Sequence, residues 1–176
     1  MDSFTELAGA RRSCRKFAAG GVVDRRQMEQ IMRAATLSPS AGNSQPWRYV
    51  AVDDPHRVSQ LAACVADGEN SFCSDASAFV VVMEDKRDFK TNLQYQKFMG
   101  IDIGLSVAHL LLAAADLGIA SCIIGSFNER KLKTLLGIPK TRRIKLVVAL
   151  GREAGDVEPG QKHRRPFEQT VTYNKF

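Results

Sequence analysis

The chain has 176 residues, 44% hydrophobic and 25% charged, a balance that fits one globular domain large enough to bury a core. Its formal charge of +6 and pI near 9.3 admit a nucleic acid, an anionic membrane or an anionic small ligand as partner. No uninterrupted apolar run reaches the roughly 18 residues of a membrane span, no basic-then-apolar leader follows Met1, and His56, His109 and His163 show no metal-ligand spacing.

Phe4 is followed by a short helical stretch, Thr5 to Ala10. Asp24 and Gln27 form a capping-box pattern, and Met28, Ile31, Met32 and Ala35 then recur at helical spacing up to Pro39. Trp47 to Val52 alternates as a strand does. Asp54-Pro55 is an N-cap with proline at the first helical position, and Val58, Leu61, Ala62 and Val65 mark one face of the helix after it. Ala78 to Met83 is an apolar strand expected to be buried on both faces. Thr91 to Leu117 reads as the longest helix, closed by Gly118. Its second half, including Ile103 to Ala115, is apolar nearly all round, so every side needs cover. Gly100, Gly104 and Ala108 lie four apart on it and permit close approach of a second helix, such as one from a partner subunit. Ala120 to Ile124 is a strand, Asn128 caps a helix stopped by Gly137, and Ile144 to Leu150 is the last strong strand. From about 152 to 176 the composition is polar and basic, an extended tail. One domain over 1–176, of α+β class and three layers, follows from this order. There is neither GxGxxG nor GxxxxGK[ST]. Cys14, Cys64, Cys73 and Cys122 are scattered without a CxxC pair and read as reduced thiols, which places the expectation in the cytoplasm.

Two segments carry chemistry. Arg11-Arg12-Ser13-Cys14-Arg15-Lys16-Phe17 concentrates guanidinium forks and a hydroxyl, donors suited to a phosphate monoester. Ser38-Pro39-Ser40-Ala41-Gly42-Asn43-Ser44-Gln45-Pro46-Trp47 is a turn in which Gly42 permits positive φ and Asn43 and Gln45 supply donors and acceptors for the edge of a planar heterocycle. Trp47 itself reads as core. A third basic group, Lys162-His163-Arg164-Arg165, could converge on the same phosphate as the first.

These motifs resemble the nitroreductase family in order and over nearly the whole chain: Arg-x-Ser-x-[Arg/Lys]-x-Phe, then Pro-Ser-x-x-Asn-x-Gln-Pro-Trp, a long central helix, an Ile-Gly-x-Phe-like turn and a basic tail. The resemblance implies a three-layer fold with a mainly antiparallel sheet, an intertwined homodimer, and FMN held between the subunits. It places Arg11, Arg12, Ser13 and Arg15 along the ribityl-phosphate, and Pro39, Ser40, Ala41 and Asn43 along the isoalloxazine with Gln45 near it. Asn70 would bond the pyrimidine ring, Ile124 and Gly125 would set backbone amides near N5, and Lys162 and Arg164 would complete the phosphate site. Cys73 stands where several larger relatives carry a lysine that stabilises the reduced ring. The chain also lacks the insertion that often covers the substrate side.

The implied reaction takes hydride from NAD(P)H to flavin N5 and passes two electrons to a small acceptor such as a nitroaromatic or quinone. No side chain is expected to be catalytic, because the chemistry belongs to the cofactor. Two other classes stand beside it: a flavin-binding or storage protein without turnover, and a basic nucleic-acid-binding domain. The second lacks aromatic residues interleaved with its arginines and lysines, and neither nucleic acid nor membrane is expected as partner.

Overall fold

A computed structural model describes residues 3–66, 68–86, 93–155 and 162–176. Local sequence signals set most of its elements. Helix α1 (Phe4–Ala10) starts where the Ser3 hydroxyl accepts from Glu6 N–H. Helix α2 (Arg25–Thr36) starts at the full capping box of Asp24 and Gln27 and buries Met28, Ile31 and Ala35. Strand β1 (Trp47–Val52) leads to α3 (Pro55–Val65), whose Asp54 cap accepts from Arg57 N–H. Strand β2 (Ala78–Glu84) is buried along its whole length. Helix α4 (Met99–Asp116), strand β3 (Ala120–Ile124), helix α5 (Glu129–Leu136) and strand β4 (Ile144–Gly151) complete the order. Gly137 ends α5 at φ 65°, the left-handed cap that glycine adopts without penalty.

The four strands form one sheet in the order β1-β2-β4-β3, antiparallel at every pairing. Because successive strand residues point to opposite faces, β2 feeds two cores. Phe79, Val81 and Met83 meet Val147 and Ala149 of β4, Leu61 and Val65 of α3 and Leu132 of α5. Ala78, Val80 and Val82 meet Val148 and Leu150 of β4, α2, and Ile103, Val107, Leu110 and Ala114 of α4. The result is three layers, with α3 and α5 on one face and α2 and α4 on the other. Truncating Leu110, which has no exposed surface, to alanine would cost about 2–5 kcal/mol. Trp47 lies in the α2/α4 core.

The expected helix from Thr91 to Leu117 is shorter. The chain runs as a 3-10 segment over Leu93–Phe98, and α-helix begins only at Met99, where Phe98 offers no side-chain cap. Thr91 lies outside the described residues. Tyr95–Asp116 has the length and mean hydropathy (1.8) of a membrane span, although no uninterrupted apolar run shows it. It is nonetheless a core helix. Asp102 and Ser106 lie buried on it, and Ser106 donates to Ala35 O of α2. What α4 leaves uncovered is one stripe: Ile101 is 61% and Leu105 40% exposed, and Gly100, Gly104 and Ala108 beside them are bare. All four cysteines are free thiols. After Lys162 the tail is exposed throughout, with a single 3-10 turn at Phe167–Gln169 and open side chains at Phe167, Tyr173 and Phe176.

Candidate functional site

The Arg11–Phe17 segment runs as a short added edge beside β3. Ser13 bridges Ser121 in parallel, Cys14 N–H donates to Ser121 O at 2.9 Å, and Phe17 pairs with Glu153. Cys14 and Phe17 turn into the core and Ser13, Arg15 and Lys16 stay outside, a spacing of three that departs from a strand's strict alternation. Arg12 is spoken for within the chain. Its Nε and Nη2 reach the two carboxylate oxygens of Glu153 at 3.0 and 2.6 Å, which pins the segment to the end of β4. Arg11 remains half-buried, with Arg12, against Ala115, Gly118 and Ser121 at the C-terminal end of α4.

The distant basic tail arrives at the same place. Lys162 Nζ donates to Gly9 O and Arg11 O and so closes the C-terminal end of α1, where a cation is favoured. Partial desolvation, then Arg11, Arg164 and Arg12, hold its ammonium below the usual lysine pKa. Arg11, Lys162 and Arg164 thus gather positive charge beside Arg12, whose own charge is met by Glu153. A phosphate monoester supplies up to about two negative charges and three acceptor oxygens, so these residues fit the phosphate of FMN.

Further along β3 lie the pieces expected at the ring. Asn70, in the 3-10 segment Gly68–Asp75, donates from Nδ2 to Ser126 O at 3.0 Å and is thereby fixed against the Ile124-Gly125-Ser126 turn at the end of β3. A Cβ at Gly125 would meet nothing within 4 Å, so the turn presents open backbone there. Cys73 is fully buried, and burial, with Cys122 second, pushes its thiol up to about 12. It stays neutral and supplies no charge. Burial also raises Cys122, while Arg15 and then Arg11 pull it back, which locates both guanidinium groups near this cluster.

The second segment folds elsewhere. Pro39 to Gln45 sits at the opposite end of α4, where Ala41 N–H donates to Asp102 Oδ1 at 3.2 Å. Its backbone is left-handed at Gly42 (φ 56°), Asn43 (φ 54°) and Gln45 (φ 44°). Ser40 Oγ accepts from Gln45 N–H at 2.9 Å, and Gln45 Nε2 donates to Asn43 Oδ1 at 3.0 Å. Asn43 and Gln45 are exposed as a linked pair of amides. Residues 102 and 116 are about 21 Å apart along α4 at a rise of about 1.5 Å per residue. The turn also enters β1, one edge of the sheet, whereas Ser13 lies on β3, the other edge.

Arg11, Ser13, Arg15, Asn70, Ile124, Gly125, Lys162 and Arg164 thus lie on the β3 side of the sheet, with Arg12 committed to Glu153. Pro39, Ser40, Ala41, Asn43 and Gln45 lie on the β1 side, at the start of α4. Sequence reasoning missed Glu153, Tyr95 and Asp102. The first lies 141 residues from its partner, and none belongs to a motif. A cleft of about 780 Å3 against α5 holds none of the expected residues.

The antiparallel sheet, with α3 and α5 on one face and α2 and α4 on the other, defines a three-layer α+β domain. The chain belongs to the nitroreductase family, whose model matches residues 8–70 and 59–152. It is 33% identical over 156 residues, 86% of either chain, to an Archaeoglobus fulgidus protein provisionally named NADH dehydrogenase/NAD(P)H nitroreductase. The fold matches a nitroreductase family protein from Streptococcus pneumoniae TIGR4 with TM-score 0.82 at 24% identity, over 97% of this chain and 99% of that one. It matches a protein from Exiguobacterium sibiricum 255-15, solved in complex with FMN, with TM-score 0.80 at 22% identity, over 98% of each chain.

Proposed function

We propose that the chain is an FMN-dependent NAD(P)H oxidoreductase acting as a homodimer. Each flavin lies between the β3-edge residues of one subunit and the Pro39–Gln45 turn of the other. The observation that carries this reading is the separation of Arg11 and Lys162 from the Pro39–Gln45 turn by most of the length of α4, with β3 and β1 at opposite edges of the sheet. One copy cannot close both halves on a single ligand. A two-fold axis across the bare stripe of α4 sets the N-terminal end of one helix against the C-terminal end of the other, which joins the halves. The relative named NAD(P)H nitroreductase and the FMN of the Exiguobacterium protein support the same assignment.

In this site Arg11, Lys162 and Arg164 bind the phosphate, and Ser13 adds a hydroxyl. Asn70 keeps Oδ1 for the pyrimidine edge, since Nδ2 is held by Ser126 O. Arg15 supplies the positive charge that neutral Cys73 does not, favouring negative charge on the reduced ring. Backbone at Ile124 and Gly125 orients the ring without crowding it. Bound there, the flavin supplies hydride chemistry at N5, from NAD(P)H to a nitroaromatic, quinone or similar acceptor.

The test is an anaerobic absorbance spectrum of the protein with FMN, before and after NADH and then NADPH, followed by an acceptor. Bleaching and recovery of the flavin bands are expected. A protein that leaves the FMN spectrum unchanged would refute the assignment, and bleaching without recovery would make it a flavin carrier.

A further inference from the structure

The turn Ser40–Gln45 gathers three left-handed residues within four positions. Two of its left-handed residues, Asn43 and Gln45, are not glycine. Left-handed backbone in such residues persists only where surroundings over-determine it, and it gathers at ligand clamps. The buried Ser44 Oγ within the turn and the buried Asp102 Oδ2 beneath it find no hydrogen-bond partner. Buried polar groups are nearly always paired, so two orphans at one turn mark a place where stability is given up for geometry.

What over-determines the turn is the beginning of α4. Asp102 lies in the first turn of that helix, where a carboxyl ordinarily serves its own helix's free N–H groups. Here its Oδ1 instead accepts from Ala41 N–H, 61 residues away, and the side chain is 3% exposed. Tyr95 presses from the same side. Its ring occupies the space a Cβ at Gly42 would need.

We propose that Asp102 is the positioning residue of the flavin-facing turn. Its Oδ1 holds Ala41 so that the left-handed backbone at Gly42, Asn43 and Gln45 presents the Asn43 and Gln45 amides to the isoalloxazine. It touches no ligand and acts through the turn. The inference rests on the reading that this turn faces the flavin ring.

The test measures riboflavin and FMN dissociation constants, the visible-region circular dichroism of the bound flavin, and melting temperature in the full-length protein. Asp102→Ala should weaken riboflavin and FMN by the same factor, about tenfold or more, and change the visible dichroism. Equal factors are expected because the phosphate site is untouched. Asp102→Asn keeps the acceptor oxygen and should restore most of the affinity. Ala41→Pro removes the donor at a position where a helical turn tolerates proline. It should reproduce the alanine phenotype without adding to it in the double variant, and it keeps the test open if Asp102→Ala fails to fold. Riboflavin affinity within twofold of the parent in both Asp102→Ala and Ala41→Pro would overturn the proposal, as would an Asn variant no better than Ala. Asn43→Ala and Gln45→Ala separate the two levels. If they weaken riboflavin while the Asp102 and Ala41 variants do not, only the role of Asp102 falls. If they too leave riboflavin binding unchanged, the flavin-facing turn falls with it.

Discussion

Substituting Gly42 with alanine tests the turn in two separable ways. The backbone at Gly42 is left-handed, φ 56° and ψ 25°, and a residue with a Cβ there costs about 1–2 kcal/mol. The new Cβ would also lie 2.4 Å from Tyr95 Cζ, 2.7 Å from Cε2 and 2.8 Å from the hydroxyl oxygen. Carbon pairs rest at about 3.5–4.0 Å, so the ring must move by an ångström or more. Tyr95 is only half-buried and can swing outward, which puts this second cost at the low end of overpacking, about 1 kcal/mol. The sum, about 2–3 kcal/mol, should lower the melting temperature by about 4–12 °C for a chain of this size. Thermal melts of Gly42→Ala, Tyr95→Ala and the double variant form the cycle. In the Tyr95→Ala background the glycine substitution should lose its steric part and cost about 1–2 kcal/mol, a coupling of about 1 kcal/mol. Equal costs in both backgrounds would refute the pressed ring. No cost in either would refute the left-handed turn.

Lys162→Met should weaken FMN about tenfold, a loss of about 1.4 kcal/mol, and leave riboflavin unaffected; equal losses for both ligands in a fluorescence titration would contradict the phosphate role. Desolvation and the neighbouring arginines depress the Lys162 pKa in the free chain, and a bound phosphate raises it. FMN affinity should therefore be greatest below that free-chain pKa and fall as pH rises through it, a slope that Lys162→Met flattens. Ala108→Trp, on the bare stripe of α4, should give a monomer in sedimentation that retains no flavin; a flavin-loaded monomer would refute the shared site. Burial pushes the Glu84 carboxyl up, but the hydrogen bond and charge of Lys145, with Lys86, outweigh it and set its pKa below the ordinary value. Its stabilisation is thus complete above the unfolded carboxylate pKa and lost as pH falls through the folded one. Glu84→Gln should cost about 1–3 kcal/mol at pH 7, and the gap between parent and variant melts should close below about pH 4.

What the sequence made legible was local. The Asp24–Gln27 capping box, the Asp54-Pro55 start and the Gly137 stop each act within four residues, and all appear at the expected positions. The two-sided burial of β2 was readable because an all-apolar strand must be covered on both faces. The start of α4 was not, since a 3-10 segment and an α-helix share an apolar pattern and only the backbone bond at each residue separates them. Pairings such as Arg12 with Glu153 or Asp102 with Ala41 depend on chain packing across scores of residues and leave no spacing to read. The division of the site was hidden for a related reason. The two motifs lie some two dozen residues apart in sequence, but α2 and its flanking loops carry the chain from the β3 edge of the sheet to the β1 edge.

That division has a genetic consequence. A subunit broken only at Arg11 still offers a sound turn, and a subunit broken only at the turn still offers sound arginines. With the proposed shared site, each would be inactive as a pure protein. Mixed within one cell, they would pair into dimers in which the two sound halves face each other across the two-fold, and random pairing would restore about a quarter of the parent's sites. Two loss-of-function alleles would then complement each other within a single gene, while two alleles damaged in the same half would not.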